Sequence, residues 1–351
     1  MAPRIQTFVL WKIGTRQTAA AALTLAAALL VLPALLLRGE PLYQSGTAEM
    51  GEDQAVLPID QAARAAGAKD RGRAVRLELE DGTVKELSMA DYLWGVVAAE
   101  MPASFEEEAL KAQACAARTY TVVQQNSGSA RHASGAEICA DSTCCQAYVE
   151  RESAEARWGL QAGEYSDKIE AAVSATDGLG ILYQGEPIQA LFFSSAAGRT
   201  VDAVEVWGNS VDYLKSVESP EGEEVPNYHT QVVLPAEEVK SRTLTAYPGA
   251  DLSGDPSGWF GAVNQGEGGA VSSVLLGGIT LTGSQVRSLF ELRSPSFAVA
   301  WDGTNFTFSV TGYGHGVGMS QYGANAMAKA GSTFQDILTW YYTGAQVDAL
   351  W

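Results

Sequence analysis

The sequence contains few basic residues. Only 23 of its 351 residues are Lys or Arg, against 41 Asp or Glu, so the formal net charge at pH 7 is −18. Proteins that bind nucleic acid place clusters of Lys and Arg against the phosphates, so this composition argues against nucleic acid as a partner. It does not exclude sugars, because a cleft binds sugar hydroxyls through local polar groups whatever the net charge of the protein.

Three motifs that would mark other enzyme classes are also absent. Ser194 and Ser195 are not set in a Gly-x-Ser-x-Gly segment, which a serine hydrolase would need. His315 has no neighbours at zinc-ligand spacing, and this excludes a metalloprotease. The glycine-rich segment around His315 lacks the Lys of a phosphate-binding P-loop. These serines and this histidine are therefore better suited to lining a cleft.

One long hydrophobic run is present, near the N-terminus. Residues 19–37 are almost all apolar, and about 20 apolar residues span a bilayer as a helix. Arg4, Lys12 and Arg16 precede the run, so the positive-inside rule places the N-terminus in the cytoplasm and the remainder outside. A cleaved signal peptide is the alternative, but no small-x-small cleavage site follows the run. We therefore predict an uncleaved membrane anchor.

The chain after the anchor divides into a linker and one folded domain. Residues 39–70 are rich in Gly, Ala, Asp, Glu and Gln and show no strand pattern, which is typical of a spacer. We therefore predict a cytoplasmic tip and transmembrane helix at 1–38, an extracytoplasmic linker at 39–70 and a folded domain at 71–351.

The folded domain alternates hairpins with helices. Hairpin turns are predicted at Asp81-Gly82, Gly185-Glu186 and Asp302-Gly303. Helices with capping sequences are predicted to begin at Ser88, Ser104, Thr282 and Ser332. This mixture predicts the α+β fold class, with helices and β-hairpins forming one cleft-bearing domain with a small loop-rich lobe.

Glu100 is the first residue that could carry chemistry. It ends an apolar helix and is followed by Met101 and Pro102; the proline disfavours helical geometry at the residue before it. A carboxylate among apolar neighbours is partly desolvated, which raises its pKa, and a raised pKa suits a general acid working near neutral pH. The alternative is a solvated carboxylate at a helix C-terminus, which the helix dipole disfavours.

A second candidate site is formed by cysteines. Of the four in the chain, Cys139, Cys144 and Cys145 lie close together and close to His132. Thiolates with an imidazole are the ligand set that zinc prefers, and we expect only one of the adjacent Cys144 and Cys145 to bind. A disulfide from Cys139 is the alternative, because disulfides are common outside the cytoplasm. The residues alone leave metal and disulfide equally open.

Two further segments could line a cleft. Gly312–Ala324 contains five glycines, which let the backbone approach another group closely, and Phe192–Thr200 places hydroxyls after a strand. Their candidate substrate-binding residues are Ser194, Ser195, His315, Ser320, Gln321 and Tyr322. The alternative for the glycine-rich segment is a tight turn that leads into a buried helix.

Taken together, these segments resemble the stage II sporulation protein D family. The resemblance covers residues 74–347, and it rests on the order and spacing of several segments, each of which is weak alone. These segments are Leu93–Pro102, Ala109–Tyr120, Cys145–Tyr148, Val206–Gly208, Tyr213–Val217 and Gly312–Ala324. The N-terminal anchor also fits this family.

The resemblance implies a lytic transglycosylase that acts on peptidoglycan during engulfment of the forespore. It implies that Glu100 is the catalytic carboxylate, and it places Arg118 among the residues that hold the glycan strand. Most glycosidases need two carboxylates, whereas this reaction needs one, because the C6 hydroxyl of N-acetylmuramic acid replaces water. The expected product carries a 1,6-anhydro end.

The resemblance also implies a structural zinc. Clostridial members are implied to bind it through one His and two Cys spaced six apart, which matches Cys139 and Cys145 with His132 nearby. This raises zinc above a disulfide, although Cys144 departs from the expected pattern. The fourth ligand is expected to be water or another residue.

The resemblance further implies a place and partners. The domain is expected on the mother-cell side of the sporulation septum, anchored in the cell membrane, with a cell-wall amidase and membrane scaffold proteins of the engulfment machinery as partners. Two alternatives stay open. The chain could be a non-catalytic amidase enhancer, or a structural wall-binding module of the septal machinery that uses the same cleft without turnover.

Overall fold

The computed structural model describes residues 67–127, 132 and 134–351 of the chain. The predicted anchor at 19–37 lies outside these residues, as does the predicted linker up to residue 66. Within the described residues, no helix combines the length and the apolar character needed to cross a membrane. The described part is a mixed α+β fold, as the sequence predicted.

Helices and strands alternate along the described chain. The helices are α1 Ala68–Arg71, α2 Met89–Glu100, α3 Glu107–Asn126, α4 Arg151–Trp158, α5 Ala162–Ala175, α6 Ala203–Trp207, α7 Ala236–Ala246, α8 Gly283–Phe290, α9 Gln321–Lys329 and α10 Phe334–Tyr341. The strands are β1 Ala74–Glu78, β2 Val84–Ser88, β3 Ile138–Cys139, β4 Leu179–Tyr183, β5 Glu186–Pro187, β6 Phe192–Phe193, β7 His229–Pro235, β8 Phe260–Gln265, β9 Val271–Leu276, β10 Ile279–Leu281, β11 Phe297–Trp301, β12 Asn305–Thr311, β13 Met319–Ser320 and β14 Gln346–Ala349.

The strands form several small sheets instead of one large sheet. Their orders are β2-β1-β3, β14-β4-β5, β13-β6, β10-β9-β8 and β11-β12-β7. Two of the predicted hairpins, β1–β2 and β11–β12, are confirmed as antiparallel pairs. The third is shorter than predicted, because β4 pairs with β5 over two residues only and the chain then moves on to pair β6 with β13 in parallel.

Two helix starts agree with the capping sequences and two are shifted. The Ser88 side chain caps α2, and Thr282 caps α8 in a full capping box. α3 begins at Glu107, because residues before it form a turn in which the amide of Phe105 donates to the carbonyl of Pro102. α10 is capped by Thr333, one residue later than predicted, since this register also places a carboxylate three residues on.

The long helix α3 lies at the centre of a helical core. It is buried on nearly every side, as expected for a helix surrounded by other elements. Helices α2, α5, α9 and α10 and strand β4 pack against it. Its small side chains, Ala112, Ala114, Ala116 and Ala117, are fully buried, so these neighbours can approach closely. This helical core carries Glu100 at the end of α2.

A second hydrophobic cluster lies in residues 229–311, which we call the β-rich lobe. Its centre is aromatic: the ring centroid of Phe308 lies 5.0 Å from that of Phe290 and 6.0 Å from that of Phe297. Helices α7 and α8 contact each other and the strands around this cluster. The lobe therefore has a core of its own, formed by aromatic and branched side chains.

Helix α1 belongs to the helical core, although the sequence prediction placed Asp70 in the linker. Asp70 is fully buried, and its Oδ2 lies 2.6 Å from Nη2 of Arg118. Arg118 Nε donates to both carboxylate oxygens at 3.0 Å, and the amide of Gly178 donates to Asp70 Oδ1 at 3.2 Å. Helix α1 is therefore part of the folded domain. It supplies the charge partner of a buried guanidinium, which would be costly to leave unpaired.

Candidate active site

A cleft with a volume of about 1090 Å³ is lined by both the helical core and the β-rich lobe. From the helical core it is lined by the end of α2, residues 142–147, residues 190–194 and the first residue of α9. From the lobe it is lined by the end of α8 and the residues that follow it. Further lining residues are Tyr120, Trp207, Tyr313, Gly314 and His315. We call this space the cleft.

Glu100 lies at the C-terminal end of α2, and it lines the cleft. The helix ends there because Met101 is extended, with φ −119° and ψ 144°, as the following Pro102 requires. The Ala147 amide donates to Glu100 Oε1 at 2.7 Å, and Gln321 Nε2 donates to Oε2 at 3.3 Å. Burial raises the pKa of the Glu100 carboxyl, and these two hydrogen bonds oppose the rise. The carboxyl is therefore desolvated but held at both oxygens.

Gln321 is the side chain that links α9 to this carboxyl. It is the first residue of α9, and Ser320 caps the helix by accepting from the amide of Gly323 at 3.2 Å. The same Gln321 amide nitrogen lies 3.4 Å from Oε1 of Gln113 on α3. Gln113 is fully buried, so Gln321 is oriented from behind by the helical core.

A buried carboxylate, Glu221, fixes the segment before α9. The side chain of Glu221 is almost fully buried. It accepts from the Ala196 amide at 2.6 Å, from the Ser219 hydroxyl at 2.6 Å and from the Ser320 hydroxyl. These bonds join three separate chain segments next to Gln321. The predicted residue Ser320 therefore acts as a helix cap and a link in this network, and it does not line the cleft.

His315 lines the cleft, but both of its ring nitrogens are already engaged. Nε2 lies 3.1 Å from the carbonyl of Phe192, and Nδ1 accepts from the Val317 amide at 3.1 Å. Burial, followed by the charge of Arg287, lowers the pKa of His315 to about 4. The ring is therefore neutral at pH 7, with its proton on Nε2 toward the carbonyl, and it holds the glycine-rich segment against β6.

The glycines around His315 allow this close approach. Gly318 has a φ of +82°, and a side chain there would meet the carbonyl oxygen of Leu191 at 2.1 Å. Gly314 has a φ of +114°, and a side chain there would meet Cβ of Phe193 at 2.7 Å. The segment is thus a tight turn that leads into the buried helix α9, and it also forms one wall of the cleft.

Of the remaining predicted hydroxyl residues, Ser194 lines the cleft, whereas Ser195 and Tyr322 pack behind its wall. Ser194 lines the cleft, and its carbonyl accepts from the amide of Tyr322 at 3.0 Å. Ser195 is buried, and its backbone pairs with that of Tyr313. The Tyr322 ring packs edge-on against Phe105, with centroids 5.0 Å apart, and it is not among the lining residues. Ser195 and Tyr322 therefore support the wall from behind.

Arg118 lies away from the cleft, in contrast to what the resemblance implied. Its side chain is fully buried, and its guanidinium is engaged by Asp70 and by the carbonyl of Leu179 at 2.9 Å. A guanidinium surrounded in this way presents no donor to a bound strand. In this structure it joins α1 and β4 to the centre of α3.

Several cleft residues were not predicted from the sequence. Arg287 and Arg293 line the side of the cleft that the β-rich lobe forms. The Arg293 guanidinium carbon lies 3.9 Å from the ring centroid of Tyr313. Trp207 is 48% exposed at the edge. Tyr313 lies within the glycine-rich segment Gly312–Ala324, and this segment could have indicated that Tyr313 lines the cleft. Trp207 lies within Val206–Gly208, one of the segments that carry the family resemblance, but the two arginines lie in segments without such a signal.

One other carboxylate, Glu291, lines the cleft among the described residues. Its side chain is 80% exposed and forms a salt bridge with Arg242 at 3.2 Å. Its setting is therefore opposite to that of Glu100, which is desolvated and hydrogen-bonded by the helical core.

The cysteine cluster lies next to the same segment that binds Glu100. His132, Cys139, Cys144 and Cys145 offer one ligand atom each, and these atoms all lie within 4.8 Å of one another. The four described cysteines are free thiols, so the alternative of a disulfide is not seen in this structure. The cluster could hold a metal ion, and it includes both Cys144 and Cys145, whereas the sequence predicted that only one of these two neighbours would bind. Ala147, which binds Glu100, follows two residues after Cys145.

Comparisons with known proteins agree on one family. A sequence model named SpoIID, described as a stage II sporulation protein, matches residues 79–183. Stage II sporulation protein D of Bacillus subtilis (strain 168) is 37% identical over 265 residues, which are 76% of each chain. The protein of the same name from Bacillus amyloliquefaciens is 35% identical over 76% of this chain and 75% of its own. An amidase enhancer of Bacillus subtilis (strain 168) is 29% identical over 72% of this chain and 39% of its own length.

Proposed function

Because this chain belongs to the stage II sporulation protein D family, we propose that it is a lytic transglycosylase of peptidoglycan that acts during sporulation. Its substrate is the glycan strand of alternating N-acetylglucosamine and N-acetylmuramic acid, and Glu100 is its acid/base residue. The observation that carries this proposal is a single desolvated carboxyl in a cleft of about 1090 Å³.

The setting of the two cleft carboxylates favours this reaction over hydrolysis. A glycoside hydrolase uses one carboxyl as acid and a second as base or nucleophile. Glu100 has a pKa raised by burial, which suits an acid. Glu291 is 80% exposed and bound to Arg242, which does not prepare it to activate a water molecule. A reaction that uses one carboxyl twice fits this pair better.

The proposed reaction begins with a proton transfer. Protonated Glu100 donates to the oxygen between C1 of N-acetylmuramic acid and the next N-acetylglucosamine, and the C1–O bond breaks. The N-acetylglucosamine leaves with a free 4-hydroxyl. The Glu100 carboxylate then takes the proton from the C6 hydroxyl of the same muramic acid, and O6 bonds to C1. The products are a 1,6-anhydro end and a reprotonated Glu100, with no water consumed.

The hydrogen bonds to Glu100 serve the second half of this cycle. After donation the carboxyl is negative in a desolvated site, and the donors from Ala147 and Gln321 stabilise that charge. They also oppose the rise in the Glu100 pKa that burial causes. Glu100 can therefore give up its proton and recover it, which a fully isolated buried carboxyl could not do.

Strand binding is assigned to the residues that line the cleft. Ser194 offers a hydroxyl, and Tyr313 offers an exposed ring. Gln321 both binds Glu100 and faces the cleft. His315 shapes the wall, since its nitrogens are already engaged.

We also propose that the cysteine cluster holds a structural zinc ion. A tetrahedral zinc with Zn–S bonds of about 2.3 Å places its sulfurs about 3.8 Å apart. The Sγ atoms of Cys144 and Cys145 are 3.8 Å apart, and Cys145 Sγ lies 3.6 Å from Nε2 of His132. With Cys139 these residues supply four ligands, so Cys144 is the fourth. The ion would stabilise the segment that ends at Ala147.

The setting in the cell is proposed from the sequence and the family. Residues 1–38 form a cytoplasmic tip and a single-pass anchor, residues after them form an extracytoplasmic linker, and the catalytic domain lies on the mother-cell side of the septum. Its partners there are the glycan strands, a cell-wall amidase and membrane scaffold proteins of engulfment. The family and the similarity to an amidase enhancer support a role at the cell wall.

Product analysis tests the enzymatic proposal. Purified glycan strands are digested with the protein, with and without a cell-wall amidase, and the products are identified by mass spectrometry. We expect 1,6-anhydro ends without the amidase. Ordinary reducing ends would indicate a hydrolase instead.

The second candidate function is that of an amidase enhancer, and the similarity to the protein of that name favours it. In that case the protein alone would release no glycan products, and it would increase the rate of the amidase in the same experiment. A structural wall-binding module would bind strands and change neither rate.

A further inference from the structure

A second groove continues from the cleft across the β-rich lobe. It has a volume of about 870 Å³ and lies between the end of α6 and the helices α7 and α8. The cleft and this groove share three lining residues, Trp207, Ser288 and Glu291. The groove therefore adjoins the cleft at Trp207. The volume of the groove lies within the range typical for a small-ligand site.

The surface of the groove has a composition that suits sugars. Apart from its aromatic residues, its uncharged polar lining consists of hydroxyls and one amide, from Ser241, Thr245, Thr282, Ser284, Gln285 and Ser288. Its apolar lining includes Tyr247 and the 48% exposed ring of Trp207. A sugar ring has hydroxyls at its edges and C–H groups on its faces, so this combination matches both of its surfaces.

The charges of the groove favour an uncharged occupant. Its charged lining residues are Arg242 and Glu291, and they form a salt bridge with each other at 3.2 Å. Each therefore neutralises the other, although the whole chain carries a formal charge of −18. Neither an acidic nor a basic peptide would find an unpaired partner in these two side chains.

We propose that this groove is a subsite for an uncharged N-acetylhexosamine unit, N-acetylglucosamine in the glycan strand, beyond the sugars that occupy the cleft. The inference rests on the proposed function for the identity of the strand. The ring of Trp207 stacks on the sugar at the junction, and the hydroxyls of α7 and α8 bind its polar edge. The protein therefore prefers strands long enough to fill both the cleft and the groove.

The test compares long and short strands with three variants. Thr245→Trp fills the groove from an exposed position that does not line the cleft. Trp207→Ala removes the ring at the junction. Trp340→Ala is the matched control, because Trp340 is 46% exposed and lines a different pocket. Unfolding temperatures confirm that each variant is folded.

The measured quantity is the ratio of kcat/KM on long strands to that on tetrasaccharides. We expect Thr245→Trp and Trp207→Ala each to lower this ratio about tenfold, equivalent to about 1.4 kcal/mol, and Trp340→Ala to preserve it. An unchanged ratio in Thr245→Trp, with cleavage otherwise intact, would overturn the subsite.

A binding measurement separates failure of the subsite from failure of the proposed enzyme. Chito-oligosaccharides, which are uncharged chains of N-acetylglucosamine, are titrated into the full chain by calorimetry. If the wild type cleaves no strand but binds these chains, and Thr245→Trp weakens that binding about tenfold, the subsite stands and the enzymatic function fails. If Thr245→Trp binds them as tightly as the wild type, or if the wild type does not bind them, the subsite is overturned.

Discussion

The helical core and the β-rich lobe stabilise their side chains by different means. The helical core buries polar and charged groups, among them Asp70, Gln113, Arg118 and Glu221, and each has a hydrogen-bond partner. The lobe buries a cluster of aromatic rings, and its charged groups, such as Arg242 and Glu291, remain partly exposed. The helical core therefore adds buried, hydrogen-bonded polar groups to its apolar packing, whereas the centre of the lobe is a cluster of aromatic and branched side chains.

This difference matches what each side must do in the proposed reaction. Proton transfer requires a carboxyl at a fixed position, and buried hydrogen bonds fix Glu100 through Ala147 and Gln321. Strand binding requires surface area and exposed polar groups. Helix α8 supplies polar side chains to the cleft, and its buried Val286 and Phe290 pack into the lobe. Substitutions of equivalent residues on the two sides should therefore have unequal effects.

The largest difference is expected between the two cleft carboxylates. Glu100→Gln keeps the shape of the side chain but cannot donate and recover a proton, so turnover of glycan strands should fall about 10²–10⁴-fold. Glu291→Gln should lower turnover less than tenfold, because an exposed ion pair contributes about 1 kcal/mol or less. Release of 1,6-anhydro ends measures both. Equal losses, or full turnover in Glu100→Gln, would remove Glu100 from the mechanism and favour the amidase enhancer.

The next difference concerns two arginines. Arg118→Leu should lower the free energy of unfolding by about 3–5 kcal/mol, because it leaves the buried Asp70 without its charge partner. Arg242→Leu in the lobe should lower it by about 1 kcal/mol or less, since its ion pairs are exposed. Urea denaturation measures both values. The double variant Asp70→Leu/Arg118→Leu should recover much of the loss; if it does not, packing and not charge explains the effect.

Metal removal should affect the side of the cleft that carries Glu100. We expect one zinc ion per chain, and Cys139→Ser should lower both the zinc content and the unfolding temperature, because the ligands close the segment before Ala147. Cys115→Ala is the control, since Cys115 is a buried thiol on α3 outside the cluster. Elemental analysis and a count of free thiols give the answer. Two missing thiols and no metal would establish a disulfide.

The smallest effect is expected on the pH profile. Glu100 must be protonated to donate, so activity is present below its raised pKa and declines as pH rises through that value. Gln321 donates to the ionised carboxylate and lowers this pKa, so Gln321→Ala should move the decline to higher pH. Gln335→Ala, on the exposed face of α10, should leave the decline in place. A shift to lower pH in Gln321→Ala would contradict the assigned hydrogen bond.

Features with a local cause could be predicted from the sequence alone. Pro102 ends α2 at Glu100, and Ser88 and Thr282 begin helices, because each acts on neighbours a few residues away. Asp81-Gly82 and Asp302-Gly303 likewise mark two hairpins that the structure contains. The α+β fold class and the position of the desolvated Glu100 carboxyl at the end of α2 follow from such short-range rules.

Contacts between distant segments were decided by the tertiary structure. Gln321 lies 221 residues from Glu100 along the chain, and Asp70 lies 48 residues from Arg118. The sequence around Arg118 therefore could not show that the side chain faces the core and not the cleft. Cys144 and Cys145 both lie in the cluster that could hold a metal ion, and their adjacent positions in the sequence did not indicate this. Which polar groups meet depends on how α3 packs against its neighbours, and that packing is the sum of many weak apolar contacts with no local signature.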